Sequence, residues 1–117
     1  MNPLPKNVFV FGSNLAGRHG AGAAKAALKY HGAIYGHGVG PQGNSYAIPT
    51  KDEILHPLTL LQIKWYVELF LLYAKNNPDI VFNLTAIGCG LAGYKPEQIA
   101  PMFKDAPPNV VKPKEFL

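Results

Sequence analysis

The strongest structural signal in the chain is residues 7–22, which read NVFVFGSNLAGRHGAG. The β-branched and aromatic run at 7–11 predicts a strand that is buried on both faces, and the glycine-containing residues after it end the strand. Residues 20–31 are rich in alanine, which predicts a helix whose small side chains allow a close approach to a sheet. Gly32 is suited to end that helix. The segment therefore predicts a strand, a glycine-rich loop and a helix.

The remainder of the chain continues this alternation of strands and helices. The order βαβαβαβ favours an α/β fold in which parallel strands are covered by helices. The further predicted elements are a short strand at 46–48 that Pro49 stops, a helix at 57–76 with Pro57 in its first turn, a strand at 80–84, a helix at 96–103 and a strand at 109–112.

Composition limits the class of protein. The 117 residues are 48% hydrophobic and 15% charged, which predicts a single domain spanning 1–117 and excludes a disordered chain. One cysteine excludes a disulfide framework and a cysteine-based zinc cluster, so we expect a cytoplasmic protein. The four histidines show no metal-ligand spacing, and neither a metal nor a cofactor is predicted.

The charge distribution limits the partners. The formal charge is +4, with basic residues scattered along the chain. A mild excess of base suits an anionic ligand such as a nucleotide, whereas extended nucleic-acid binding usually shows a concentrated basic stripe. The most apolar stretch, residues 58–74, contains Gln62, Lys64 and Glu68, which argues against a membrane span. We therefore expect neither nucleic acid nor membrane as a partner.

Two glycine-rich loops, at residues 11–22 and 86–94, each follow a strong strand and precede a helix. In open α/β sheets, ligands bind beyond the carboxyl ends of the strands, where helix N-termini and backbone N–H groups favour anions. Two such loops can hold one diphosphate between them; the alternative is that their glycines only form tight turns. Arg18 follows the first loop's G-x-x-x-x-G, so no P-loop is present. The G-x-G-x-x-G at 88–93 lies in the last βα unit, which argues against a dinucleotide fingerprint.

Both loops resemble segments of the macrodomain family. Residues 8–33, VFVFGSNLAGRHGAGAAKAALKYHGA, resemble its buried strand, Asn-Ala-Ala-Asn motif, glycine-rich loop and Ala-rich helix. Residues 85–100, TAIGCGLAGYKPEQIA, are similar to its second loop, Ser-Thr-Gly-x-x-Gly-Tyr/Phe-Pro. The resemblance implies a three-layer α/β/α sandwich with a mixed sheet that binds ADP-ribose. Some members of the family hydrolyse ADP-ribosyl bonds.

The resemblance also implies site residues. Asn14 matches an asparagine that contacts the distal ribose, and Tyr94 matches the aromatic residue that closes the distal end of the pocket. A turn residue and ordinary core packing are the respective alternatives. The remaining implied ligand-binding residues are Gly12, Ser13, His19, Gly20, Ala21 and Gly22 in the first loop, and Gly88, Cys89, Gly90, Leu91, Ala92 and Gly93 in the second.

Two departures from the family bear on adenine recognition and on catalysis. No acidic residue precedes Asn7 to recognise adenine, and Ala24 stands where a hydrolase subgroup has a water-positioning aspartate. The catalytic candidates are therefore Asn14 together with Lys51 and Asp52, since some macrodomain hydrolases use a lysine and an aspartate. A solvated turn is the alternative for the last two. Cys89 lies near a helix N-terminus, which can lower a thiol pKa.

Three functions follow from these observations. The first is binding of ADP-ribose or a related nucleotide diphosphate by the two loops. The second is hydrolysis of ADP-ribosyl bonds or removal of phosphate from ADP-ribose-1″-phosphate. The third is a non-catalytic oligomeric interaction protein, because helix 57–76 is apolar almost all round. We expect a homo-oligomer that uses part of residues 65–72.

Overall fold

The computed structural model describes residues 4–117. Its elements are β1 (Asn7–Asn14), α1 (Gly22–Tyr30), β2 (Gly40–Gln42), β3 (Ser45–Lys51), α2 (Leu60–Lys75), β4 (Val81–Leu84), α3 (Pro96–Ile99) and β5 (Val110–Val111), with 3-10 turns at Ala100–Phe103 and Lys114–Phe116. The α/β class predicted from the sequence is confirmed.

Within residues 4–117, five strands form one mixed sheet in the order β2-β3-β1-β4-β5. Strand β1 lies at its centre and is parallel to both neighbours, with Phe11 opposite Ala47 on β3 and Val10 opposite Leu84 on β4. Strand β5 is also parallel to β4, whereas β2 runs antiparallel to β3. The carboxyl ends of β1, β3 and β4 therefore meet at one edge of the sheet.

Two apolar clusters bury the sheet, and β1 contributes to both. Val8 and Val10 belong to the larger cluster, whereas Phe11 belongs to the smaller one together with alanines of α1. This division follows from the alternation of side chains along a strand. In the larger cluster, the ring of Phe70 on α2 packs edge-on against the rings of Tyr46 and Phe82, with distances between ring centroids of 5.0 Å and 5.4 Å. The chain is compact, with a radius of gyration of 12.9 Å.

The sequence-based prediction was wrong about the segment before β3. Residues 40–42, where no strand was predicted, form strand β2, and Pro49 does not end β3, which continues to Lys51. The ladder between β1 and β3 shifts register between Ser13 and Asn14, directly opposite Pro49. Irregular pairing of this kind tolerates a residue that has no N–H to donate. The extra residues of β3 carry Thr50 and Lys51 to the carboxyl edge of the sheet.

The helices were predicted with errors at their ends. Helix α2 begins at Leu60, because the Thr59 hydroxyl accepts a hydrogen bond from the backbone N–H of Gln62 and the Gln62 side chain accepts one from Thr59. Pro57 lies outside the helix and pairs with Lys51. Helix α1 begins at Gly22, and the last predicted helix is one α-helical turn followed by a 3-10 turn.

Helix α2 has one buried and one exposed face. Its buried residues recur at helical spacing, and an apolar stripe remains exposed on the opposite side. The exposed stripe consists of Leu61, Trp65, Leu69 and Leu72.

None of the helices in residues 4–117 has the length and apolarity that crossing a bilayer requires.

Candidate functional site

A cleft of about 430 Å³ opens at the edge of the sheet where β1, β3 and β4 end. Both predicted glycine-rich loops line it, as do the start of α1 and the end of β3. This volume lies within the range of about 300–1,000 Å³ that is typical of small-molecule sites. Most predicted ligand-binding residues line the cleft: Gly12, Ser13, Asn14, Gly20, Ala21, Gly22, Gly88, Gly90, Leu91 and Ala92.

The second loop packs directly on the end of β1. A Cβ built on Gly12 would lie 3.6 Å from the backbone nitrogen of Gly88, which is an ordinary van der Waals distance, so this contact does not by itself require glycine at position 12. Gly88 has φ +74°, and a Cβ there would lie 3.2 Å from Cδ1 of Ile99. L-residues with side chains rarely adopt this conformation. Gly88 is therefore required by the turn and by packing, as the structural alternative expects for this position.

Two other glycines leave the cleft open. A Cβ built on Gly20 or Gly90 would meet no atom within 4 Å, and neither residue has a positive φ. Nothing in the packing around these two positions requires glycine. The absence of a side chain instead leaves their backbone accessible from the cleft, which is the property that a phosphate-binding loop needs.

The N-terminus of α1 points its partial positive charge at the cleft. Ala21, the N-cap residue, has no side chain that can accept a hydrogen bond, and the first turn contains no acidic residue. Gly22, Ala23 and Ala24 form this first turn, and all three line the cleft. N–H groups at the start of a helix have no partner within the helix, which makes such a terminus suited to an anion.

The charged side chains of the cleft are all cationic. Arg18 and Lys51 line it, whereas no aspartate or glutamate does so among the lining residues that the structure describes. Lys51 reaches this position because β3 extends past Pro49. The cleft therefore combines two full positive charges with a helix N-terminus, and attracts anions by electrostatics.

Asn14 closes the first loop and also lines the cleft. Its Nδ2 donates to the carbonyl oxygen of Arg18 at 2.9 Å, and its Oδ1 accepts from the backbone N–H of Arg18 at 2.9 Å. The side chain is 6% exposed. An amide group has a second N–H and a second lone pair, so these two bonds leave capacity for a ligand. Asn14 thereby holds Arg18 at the cleft.

His19 supports the first loop from outside the cleft. The side chain is 1% exposed, and its Nε2 lies 3.0 Å from the carbonyl oxygen of His37 and 3.2 Å from Oε1 of Gln42. Its ring packs edge-on against Phe11 at 5.2 Å. The residue predicted to line the pocket therefore anchors the loop to residues 37–42.

Cys89, Gly93 and Tyr94 also lie outside the cleft lining. The Tyr94 hydroxyl donates to the carbonyl oxygen of Leu58, and its ring packs against the larger apolar cluster. Burial raises the pKa of the Cys89 thiol, and the negative charges of Glu115 and Glu97 raise it further. This direction is opposite to the lowering of a thiol pKa that a nearby helix N-terminus can cause.

Lys51 and Asp52, which were predicted together as catalytic candidates, lie in different surroundings. Lys51 lines the cleft, whereas Asp52 organises the turn after β3. Its Oδ1 accepts from the backbone N–H groups of Ile54 at 3.0 Å and His56 at 2.9 Å. This turn holds Leu55 at φ +68°, the left-handed region, and Leu55 lines the cleft. Asp52 thus positions an apolar wall of the site.

Of the lining residues that the sequence did not predict, four carry polar or large apolar side chains that bear on the site: Arg18, Thr50, Leu55 and Thr85. Thr50 and Leu55 were missed because β3 was expected to stop at Pro49. Thr85 directly precedes the predicted second loop; its hydroxyl donates to the carbonyl oxygen of Val10 at 2.7 Å and ties the start of that loop to the middle of β1. Arg18 had a visible signal, since it is a cation inside a glycine-rich loop.

Within residues 4–117, no group of three or more histidine, cysteine, aspartate or glutamate side chains is arranged to hold a metal ion. Comparison of the chain with protein-family models, with curated proteins and with solved structures gives no match.

Proposed function

We propose that the protein binds ADP-ribose or a related nucleotide diphosphate in the cleft at the carboxyl edge of its sheet. One observation carries the proposal: two glycine-rich loops and an uncapped helix N-terminus line the same cleft, and none of its described lining residues is acidic. Each feature favours a phosphate by itself, and together they surround one space.

The diphosphate is assigned to the space between Gly22 and Gly90. Gly22 begins α1, whose free N–H groups favour negative charge, and Gly90 exposes its backbone from the opposite loop. Arg18 and Lys51 add charge from the remaining sides. Charge-assisted hydrogen bonds from such donors are shorter and stronger than neutral ones.

The apolar part of the cleft suits the sugar or the base of the ligand. Leu55 and Leu91 line it, and both are exposed, at 44% and 73%. Apolar walls with a few placed polar groups are typical of small-molecule sites. Asn14 contributes the free half of its amide to a ribose hydroxyl, as the macrodomain resemblance implies.

The proposal extends to the whole chain. We assign residues 1–117 to one macrodomain-like domain with a three-layer α/β/α arrangement, and we place it in the cytoplasm. The support for the layers is that α1 and α2 belong to different apolar clusters, both of which include residues of β1. The single cysteine supports the compartment.

Hydrolysis of an ADP-ribosyl or phosphate bond is the second candidate, and Lys51 in the cleft is the observation that favours it. Binding is preferred because the described lining offers no carboxylate to act as general base. Ala24 lies in the lining where a water-positioning acid would be needed, and Asp52 is engaged in its own turn.

Isothermal titration calorimetry with ADP-ribose, ADP, AMP and ribose 5-phosphate tests the proposal. We expect ADP-ribose and ADP to bind more tightly than either monophosphate, with affinities that fall as ionic strength rises. Lys51→Gln is expected to weaken ADP-ribose binding, whereas Lys29→Gln, on the exposed side of α1 and outside the cleft, is the matched control. Absence of binding by all four ligands at about 1 mM, the weak end of measurable affinity, would contradict the proposal.

A further inference from the structure

The exposed face of α2 carries a continuous apolar stripe. Leu61 is 78% exposed, Trp65 58%, Leu69 40% and Leu72 57%. At 3.6 residues per turn, these four positions lie within about 80° of one another around the helix. The opposite face packs into the core. Apolar stripes of this extent on an otherwise folded surface are typical of interaction sites.

The stripe is approximately symmetric about its centre. Its ends are Leu61 and Leu72, and Trp65 and Leu69 lie on either side of the midpoint at distances that differ by about one residue, or 1.5 Å of rise. If a second α2 lies antiparallel across it, Leu61 of one copy meets Leu72 of the other, and Trp65 meets Leu69. Such self-complementarity is what a two-fold interface requires, because each contact then occurs twice.

The charges beside the stripe favour the same arrangement. Lys64 and Glu68 are both exposed and lie on one flank of the stripe, and Gln62 lies on the other. In an antiparallel two-fold pair, equal flanks face each other, and Lys64 of one copy comes level with Glu68 of the second within about one helical residue, or 1.5 Å of rise. In a parallel pair, the charged flank would face Gln62 instead.

We propose that this stripe is the interface of a homodimer in which two α2 helices pack antiparallel about a two-fold axis. A groove of about 460 Å³ adjoins Leu72 and is lined by Leu71, Lys75, Asp105 and Pro107; Leu61 of the second copy comes to lie beside it. The stripe extends over only about 16 Å of helix. An apolar patch of this length buries less surface than the roughly 800 Å² per partner of a standard interface. The dimer is therefore weak and depends on concentration.

Sedimentation velocity of the full chain over a range of concentrations tests the dimer. We expect the wild type to be largely dimeric at about 100 µM and Leu61→Gln to be monomeric there. Tyr30→Gln, which changes a 69% exposed aromatic residue at the end of α1, is the matched control and should stay dimeric. Trp65 is the only tryptophan, so its emission should shift to longer wavelength on dilution of the wild type. A monomeric wild type would overturn the proposal, and the stripe would then be a contact surface for a different protein.

Charge reversal tests the antiparallel arrangement separately. Lys64→Glu and Glu68→Lys should each weaken self-association about fivefold or more at low ionic strength, because both copies then present like charges. Mixing the two single variants should restore association, since the mixed dimer pairs opposite charges at both contacts. Mixing does not change the charges at positions 64 and 68 within any one helix. Restored association therefore reports the contact between the two copies. If the mixture associates no better than its components, the antiparallel arrangement is wrong.

Discussion

Replacement of Gly90 by valine tests whether the second loop presents its backbone to a phosphate. The residue is exposed, its φ is not positive, and a Cβ there would meet no atom within 4 Å. The fold should therefore tolerate Gly90→Val, while the new side chain occupies space in the cleft. A backbone hydrogen bond to a charged group contributes about 1.5–3 kcal/mol. Loss of one such bond predicts weaker ADP-ribose binding by about ten- to a hundredfold.

Calorimetric titration measures this loss, and thermal unfolding provides the check on folding. We expect the unfolding midpoint of Gly90→Val to stay within about 3 °C of the wild type, as for other surface substitutions. Gly22→Ala, in the first loop, should also weaken binding. Its matched control is Gly40→Ala, since both glycines have a positive φ and open space but only Gly22 lines the cleft. Wild-type affinity in both folded cleft variants would refute the assignment of the diphosphate to the two loops.

Four further measurements follow from the structure. Asn14→Ala should weaken ADP-ribose binding and also lower the free energy of unfolding by about 1–3 kcal/mol, because the partly buried hydrogen bonds of the Arg18 backbone N–H and carbonyl to this side chain are lost; unchanged urea stability would argue against the loop-closing role. Phe70→Ala should cost about 3–5 kcal/mol in urea unfolding, and a cost below 1 kcal/mol would place this ring outside the core. Cys89 should react slowly with iodoacetamide at neutral pH. Glu115→Gln should accelerate the reaction, because removing a negative charge lowers the raised pKa of the thiol. An unchanged rate would show that burial alone raises this pKa. The wild type should release little ADP-ribose from a mono-ADP-ribosylated protein, and rapid multiple turnover would favour the hydrolase alternative.

The sequence predicts the centre of the sheet well. The hydrophobic runs at β1 and β4 are strong local signals, and the strands that they predict lie side by side in the sheet. The physical reason is that each strand, with the glycine-rich loop that follows it, depends on residues close together in the chain. The convergence of the two loops depends in addition on the parallel pairing of β1 with β4, which lie far apart in the chain.

The third side of the cleft could not be predicted from local patterns. Strand β2, with the sequence Gly-Pro-Gln, exists because it pairs with β3, and β3 passes Pro49 because the ladder with β1 is irregular there. Both depend on tertiary pairing. The places of Lys51 and Leu55 in the cleft follow from that pairing, so the sequence indicates the loops but not the wall opposite them.

The roles of the individual glycines also depend on tertiary packing and not on local sequence alone. A glycine-rich loop is visible in the sequence, but the role of each glycine is not. Gly88 is required by its positive φ and by contact with Ile99, whereas Gly90, two residues later, has open space beside it. Only the packing around each position separates a glycine needed for the turn from one that leaves a cleft accessible.

The position of the diphosphate in a crystal of the protein soaked with ADP-ribose tests the central claim most directly. We expect both phosphates between the first turn of α1 and the loop that contains Gly90, with Arg18 and Lys51 beside them. A well-occupied ligand bound elsewhere on the surface would contradict the account, as would a cleft that stays empty at ligand concentrations that saturate the protein in solution.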